Sequence, residues 1–244
     1  MEIIHIENLV KNYETNGITV NAIRGIDLAI KKGEFTAIAG PSGSGKTTLL
    51  NIIGGLDVPT KGFVRVSGGD LSRMSARELS DMRLRKIGFI FQAYNLIPVL
   101  TAIENVEYVL LLQGVEKTER TQRAANMLKE VGLEKEMRRL PKELSGGQQQ
   151  RVAVARAIVS EPAIILADEP TANLDQKTGA ALLDLMHDLN HRKSTTFLFS
   201  THDTMVMERA ERLIYLTDGA IRTDETRGKS HFEGKARRVK SSKK

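Results

Sequence analysis

The chain has 244 residues, no cysteine, a hydrophobic content of 41% and a charged content of 27%. Such a composition indicates a globular protein with a sizeable core and excludes a disulfide framework or a thiolate metal site. The formal net charge is +6, but residues 227–244 hold eight Lys/Arg and one acid, so the remainder is close to neutral. Because the positive charge belongs to the C-terminal tail, it does not indicate a nucleic-acid-binding fold, and we expect no nucleic-acid partner.

Neither a signal peptide nor a membrane span is predicted. The first residues, 1–7, lack a basic segment followed by a long apolar one. The longest apolar runs, 108–112 and 163–167, are far too short to cross a bilayer. Any role at a membrane therefore requires a partner protein. The tail, 227–244, is predicted to be disordered, with weak contact to anionic lipid headgroups as an alternative.

The first third of the chain predicts strands joined by turns. Asn16-Gly17 is a hairpin signal between two alternating stretches, and Gly33 precedes a fully apolar strand. Ser75 and Glu78 have the spacing of a helix N-terminal capping box. The predicted strands are 2–7, 9–13, 18–30, 35–39, 63–66 and 87–91, and the predicted helices include the apolar-periodic segment 48–53 and the stretch 75–85.

The middle of the chain predicts only helices, with no strand signal between 93 and 161. One covers 101–113, where Thr101 and Glu104 have the spacing of a capping box, a second covers 118–131, and a third begins after Ser145. Strands and helices then alternate. The strands are predicted at 163–167, 195–200 and 213–216, and a long helix at 176–192. This pattern favours an α/β frame with a mostly parallel sheet, interrupted by a helical insert.

The clearest chemical motif is Gly40-Pro41-Ser42-Gly43-Ser44-Gly45-Lys46-Thr47, which matches the P-loop pattern in full and lies between a predicted strand and a predicted helix. Its glycines allow successive backbone N–H groups to face inward around phosphate oxygens. Lys46 adds a positive charge for the β- and γ-phosphates, and the Thr47 hydroxyl is a ligand for Mg²⁺. The motif predicts binding of a nucleoside triphosphate.

Two acids, Asp168 and Glu169, end the buried run that begins at Ile164. Downstream of a P-loop, a carboxylate at a strand end supplies the magnesium shell. We therefore predict that Asp168 binds Mg²⁺ and that Glu169 acts as the general base for the attacking water.

A second anion site is predicted at Leu144–Arg151, where a capping box, Ser145 to Gln148, surrounds Gly146 and Gly147. Glycines in a first helical turn are costly unless the backbone must approach something closely. One triphosphate does not need two phosphate-binding helix starts. The pattern therefore predicts a homodimer in which each chain offers its Ser145 helix to the other's nucleotide.

In this order and spacing the motifs resemble the ATP-binding cassette (ABC) family, over residues 1 to about 224. The resemblance implies that Tyr13 stacks on adenine and that Gln92 reaches Mg²⁺ or water. It also implies that Asn173-Leu174-Asp175 crosses the dimer seam and that His202 contacts the γ-phosphate. ATP and Mg²⁺ are the implied cofactors. The predicted nucleotide contacts are Tyr13, Gly40 to Thr48, Ser145 to Gln148 and Asp175. The predicted catalytic residues are Glu169, His202 and Gln92. The predicted metal ligands are Thr47, Gln92 and Asp168.

Finer stretches, such as 54–60, 91–98 and 100–106, are similar to the MacB/LolD/FtsE branch of that family. This implies a peripheral subunit on the cytoplasmic side of the bacterial inner membrane that drives macrolide export or lipoprotein release. Tyr108-Val109, where many relatives have Leu-Pro, and the basic tail depart from the family pattern.

The predicted fold class is thus an α/β P-loop NTPase, with a RecA-like core of mostly parallel sheet, an antiparallel β subdomain and a helical insert. One domain is expected over 1–226, with a catalytic core of about 1–92 and 160–226 and a helical subdomain of about 93–159. An integral membrane permease is expected to bind the region Gln92–Leu112. The alternatives are an FtsE-like regulator of periplasmic activity and a soluble cassette ATPase without a transport task.

Overall fold

The computed structural model describes residues 1–15 and 17–227. Asn16 of the predicted hairpin turn and residues 228–244 of the predicted tail lie outside this part. The strands are β1 (Glu2–Thr15), β2 (Ile18–Lys31), β3 (Phe35–Ala39), β4 (Lys61–Val66), β5 (Gly69–Asp70), β6 (Ile87–Ile90), β7 (Ile164–Asp168), β8 (Thr196–Thr201), β9 (Arg212–Thr217) and β10 (Ala220–Thr226). The helices are α1 (Lys46–Ile53), α2 (Ala76–Lys86), α3 (Ala102–Leu112), α4 (Lys117–Glu130), α5 (Gly146–Ile158), α6 (Gln176–Lys193) and α7 (Thr204–Arg209), and a 3₁₀ turn covers Pro141–Glu143.

The chain divides into two compact units. The first, called unit 1, comprises the described residues of Met1–Arg73 and those from Thr196 to Arg227, and the second, unit 2, is Met74–Thr195. Helices α3 to α5, which the sequence predicts as an insert, all fall in unit 2.

Unit 1 contains an antiparallel sheet with the strand order β2-β1-β4-β5. Ile6 of β1 lies opposite Leu28 of β2 on one side and Val64 of β4 on the other, and all three side chains are buried. The alternation read from the sequence therefore places one apolar face of this sheet in a core.

A second group of strands in unit 1 is mostly parallel. β3 pairs in parallel with both β8 and β9, and β10 is antiparallel to β9. Every residue of β3 and of β8 is buried, as expected for strands covered on both faces. Three aromatic rings, those of Phe35, Phe197 and Phe199, pack together with centroid separations of 4.7 to 5.9 Å.

Unit 2 joins the parallel pair β6 and β7 to five helices, α2 to α6. The capping boxes predicted at Ser75, Thr101 and Ser145 are all present, each with both reciprocal hydrogen bonds. They fix where α2, α3 and α5 begin, because each satisfies N–H groups that lack a partner within the helix. Within the described residues, every helix is too short or too polar to cross a bilayer.

Candidate nucleotide site

The P-loop connects β3 to α1 in unit 1, as predicted. Gly40 follows the last residue of β3, and a Cβ there would lie 2.0 Å from the carbonyl oxygen of Leu216. Gly45 has φ +101°, and a Cβ there would lie 2.5 Å from the carbonyl oxygen of Ala22. Only glycine fits at these two positions, so the backbone of the loop is held close against β2 and β9.

Two side chains of the loop are buried and polar. The Lys46 amine donates to the carbonyls of Gly40 and Pro41, both at 2.9 Å, and curls back over the loop. The Ser44 hydroxyl is buried and has no hydrogen-bond partner among the described residues. A buried hydroxyl without a hydrogen-bond partner costs free energy, so the Ser44 hydroxyl favours an acceptor from outside the protein, such as a phosphate. The Lys46 amine lies over the same loop and can donate to the same acceptor.

The end of β8 lies beside the start of the P-loop. Ala39, the last residue of β3, pairs with Thr201, the last residue of β8, so Gly40 and His202 leave the same edge of the parallel strands. The turn at His202 is fixed on both sides. The Thr201 hydroxyl accepts the Asp203 N–H at 2.9 Å, and the Asp203 carboxylate caps α7 by accepting the Met205 N–H at 2.8 Å. Functional groups commonly gather at this edge of parallel strands.

Tyr13 lies on β1 and is also tied to the P-loop helix. Its hydroxyl donates to Asp57 at 2.6 Å, and it shares a hydrogen bond with the side chain of Thr48 in α1. Burial is the main cause that raises the pKa of the Tyr13 hydroxyl, and the hydrogen bond to Asp57 raises that pKa further. The ring is therefore held as a neutral phenol in contact with the helix that follows the phosphate loop.

The remaining predicted residues lie in unit 2. Asp168 ends β7, and Glu169 follows with a left-handed backbone, φ +47°, which is uncommon for a residue other than glycine. The buried Gln150 of α5 donates to the carbonyl of Pro170 at 2.8 Å and thereby holds the chain just after Glu169. Gln92 is exposed after β6, and its carbonyl accepts a hydrogen bond from the Asn173 amide at 2.9 Å.

The Ser145 helix start is exposed, and its two glycines have packing neighbours in the same unit. A Cβ on Gly147 would lie 2.4 Å from Cγ2 of Thr178, and one on Gly146 would lie 2.9 Å from the Tyr94 hydroxyl. The backbone at these two glycines does approach other groups closely, as predicted. Part of that close approach is to Thr178 and Tyr94 of the same chain.

Asp175 caps α6. Its carboxylate accepts from the N–H groups of Lys177 and Thr178, each at 3.0 Å, and from the Thr178 hydroxyl at 2.6 Å. These bonds, that of the Thr178 side chain first, lower the pKa of Asp175, so the group stays ionised. Its role at a dimer seam remains a prediction.

Two neighbours of Tyr13 were not predicted from the sequence. Lys11 is nearly buried and donates to Asp57 at 2.6 Å and to the carbonyl of Val58 at 2.9 Å. A Lys and an Asp 46 positions apart carry no pattern that marks them as a pair, so only the fold could reveal them.

A model of the ABC transporter family matches residues 23–172 of this chain. The chain belongs to the ABC transporter family. This confirms the family that the motifs predicted, and with it an ATP-binding, ATP-hydrolysing cassette.

Relatives and solved structures agree with that assignment. The chain is 42% identical to the lipoprotein-releasing system ATP-binding protein LolD of Legionella pneumophila over 90% of this chain and 96% of LolD. It is 44% identical to the macrolide export ATP-binding/permease protein MacB of Brucella melitensis over 94% of this chain but 35% of MacB. A dimeric, post-hydrolysis structure of the cassette MJ0796 of Methanocaldococcus jannaschii, bound to ADP and Pi, superposes with a TM-score of 0.85 at 45% identity, covering 92% of this chain and 98% of that one. The predicted fold class is thereby confirmed.

Proposed function

We propose that this cassette powers a membrane protein complex by hydrolysing ATP as a homodimer. The observation that carries the proposal is the P-loop of unit 1, where the curled Lys46 amine, the buried Ser44 hydroxyl and the N-terminus of α1 meet on one glycine-rich turn. These groups favour a bound triphosphate, because they supply positive charge and hydrogen-bond donors where the backbone can approach phosphate closely.

The predicted phosphate-binding, metal-binding and catalytic residues take the following roles in the proposed reaction. Lys46 binds the β- and γ-phosphates, and Thr47, Gln92 and Asp168 hold Mg²⁺. Bound there, Mg²⁺ would supply positive charge to neutralise the phosphate oxygens. Glu169 orients a water molecule and accepts its proton as that water attacks the γ-phosphorus in line with the leaving ADP oxygen. His202 stabilises the charge that develops on the transferred phosphoryl group.

The homodimer is supported by the N-terminus of α5. Ser145 is exposed there and caps the helix, and Gly146 and Gly147 are half-buried, so the positive end of α5 is partly open to solvent. We propose that this surface binds the γ-phosphate held by a second copy. The dimeric form of the related MJ0796 cassette, with ADP and Pi, is consistent with such an arrangement.

The permease is proposed to bind the region Gln92–Leu112, which exposes several large apolar side chains, those of Val99, Tyr108, Leu111 and Leu112. A cavity of about 230 Å³ lies next to this region, lined in part by Phe89, Phe91, Asn95, Arg156 and Ser160. Tyr108, Leu111 and Leu112 are three and four positions apart on α3 and therefore share one face of it, and a contiguous exposed apolar face indicates an interaction surface. Binding to this membrane partner would place the cassette at the predicted location, which is the cytoplasmic face of the inner membrane.

The names of LolD and MacB support export or lipoprotein release as the coupled process. A regulator of periplasmic activity of the FtsE type is the second candidate, because stretches such as 54–60 and 91–98 are similar to a branch that includes FtsE as well as MacB and LolD. Isolation of the protein from membranes, followed by identification of the copurifying integral membrane protein, distinguishes the two. Recovery without any membrane partner would contradict both.

The hydrolytic assignment is tested by Glu169→Gln. Loss of a general base lowers turnover by about a hundredfold or more, while ATP affinity is retained because the side chain acts on water. The matched control is Glu161→Gln, since Glu161 precedes the same strand and also has a left-handed backbone, φ +54°. Turnover of Glu169→Gln equal to that of the control would contradict the assignment.

A further inference from the structure

The Tyr13 side chain lies in a hydrogen-bonded cluster formed by Lys11, Asp57, Val58 and Thr48, which we call the tyrosine clamp. The two oxygens of Asp57 are divided between its partners, one accepting from the Lys11 amine and the other from the Tyr13 hydroxyl, each at 2.6 Å. The first oxygen also accepts the Val58 N–H at 2.7 Å. A carboxylate bound in this way has little freedom to rotate.

Lys11 both supports the clamp and covers the tyrosine. Its side chain is 10% exposed, and its amine lies 4.7 Å from the centroid of the Tyr13 ring. A cation at this distance over a ring is attracted to it. One face of the ring is therefore occupied by Lys11, while Tyr13 as a whole remains 37% exposed.

The backbone around the clamp is fixed as well. The Thr60 N–H donates to the carbonyl of Val10 at 2.8 Å, and the Asn12 N–H donates to the Thr60 hydroxyl at 2.9 Å. The loop that carries Asp57 is thus tied to β1 on both sides of Lys11. Thr48 of α1 connects the same tyrosine to the helix that begins at the phosphate loop.

The charge of the clamp is stable near neutral pH. Burial raises the pKa of Asp57, but the bonds from Lys11, Tyr13 and Val58 outweigh it and hold that pKa below its ordinary value. Asp57 is therefore an anion that accepts from both side chains, and it remains one until the solution becomes distinctly acidic.

We propose that Lys11 and Asp57 are positioning residues for base recognition, which fix the Tyr13 ring so that the nucleotide base stacks on the face opposite Lys11. This rests on the proposed stacking role of Tyr13. A ring that is already fixed loses little conformational entropy when the base binds. The clamp therefore contributes to the affinity for nucleotides that have a base, and it does not contribute to the affinity for their phosphates.

The test compares ATP with inorganic tripolyphosphate, which has no base. In Lys11→Met and Asp57→Asn we expect the KM for ATP to rise about fivefold or more with kcat within about twofold of the original protein. Inhibition by tripolyphosphate is expected to be unchanged, because the phosphate loop is intact. Lys61→Met, which removes an exposed lysine of the neighbouring β4, is the matched control and should leave the KM unchanged.

A double substitution separates positioning from a general loss of structure. Tyr13→Phe keeps the ring and loses the bond to Asp57, so Asp57→Asn should have a smaller effect on the KM in Tyr13→Phe than in the original protein. Equal effects in the two backgrounds, or weaker tripolyphosphate inhibition in Asp57→Asn, would overturn the proposal.

Tyr13→Ala shows which proposal has failed. If it raises the KM for ATP while Lys11→Met and Asp57→Asn do not, the clamp proposal is wrong and the stacking role of Tyr13 stands. If Tyr13→Ala leaves the KM unchanged, the stacking role is wrong, and the clamp proposal is overturned with it.

Discussion

Lys46 is the residue on which the proposed ATP binding depends most directly. Its amine is nearly buried and is held by two carbonyls of its own loop, at 2.9 Å each, which places the charge where phosphates are expected. A charged hydrogen bond lost from such a site is worth about 1.5–3 kcal/mol. Lys46→Ala should therefore weaken ATP binding by about tenfold to a hundredfold, measured by calorimetry. Lys32→Ala, which removes an exposed lysine of unit 1, is the control, and equal affinities in the two variants would argue against the loop as the phosphate site.

For single residues, the sequence predicts those that belong to motifs. It does not predict those, such as Lys11 and Asp57, that come together only when the chain is folded. Gly40 and Lys46 could be placed on the phosphate loop because their spacing and order repeat a known chemical pattern, and the role of Glu169 stays a prediction. Lys11 and Asp57 could not be predicted, since their ion pair at 2.6 Å depends on the loop after α1 folding against β1. A pair of opposite charges distant in sequence has no signal without the fold.

Among the elements, the start of α5 allows a specific prediction of how one substitution changes the free energy of unfolding. A Cβ on Gly147 would lie 2.4 Å from Cγ2 of Thr178, and the Thr178 hydroxyl is held by Asp175. Since a β-branched side chain has few alternative rotamers, the two helices must shift. Gly147→Ala should reduce the free energy of unfolding by about 1–3 kcal/mol, measured by urea titration.

Two variants check that explanation. Thr178→Ser, added to Gly147→Ala, removes Cγ2 and keeps the hydroxyl, so it should restore most of the lost stability. Gly146→Ala is the matched control, because the one close contact of its Cβ would be with the end of the Tyr94 side chain, at 2.9 Å, while the Asn173 carbonyl would lie at an ordinary 3.9 Å. If Thr178→Ser restores nothing, the steric account of Gly147 is wrong.

Elements with strong local signals could be predicted and weakly patterned ones could not. Helix α3 begins where the capping box of Thr101 and Glu104 places it. Strand β10 was not predicted, because its residues are mostly exposed and polar and show no apolar alternation. It exists through its pairing with β9, reinforced by a bidentate bond from Arg212 to Asp224, in which both distances are 2.7 Å.

At the scale of the whole molecule, the proposed machine needs two copies of this chain. In this proposal the phosphate loop of unit 1 would supply one set of phosphate contacts, and the partly exposed N-terminus of α5 in unit 2 would supply a second. One nucleotide per chain uses both sets if each copy completes the site of the other. ATP should then hold two copies together, and hydrolysis should release them.

The most direct test is the mass of Glu169→Gln in solution, measured by sedimentation velocity with and without saturating ATP and Mg²⁺. The proposal predicts one chain without nucleotide and two with it. It also predicts that Ser145→Arg, placed in the same variant, abolishes the two-chain species while ATP still binds. A Glu169→Gln protein that binds ATP yet keeps the mass of one chain at every concentration of protein would contradict the proposed dimer.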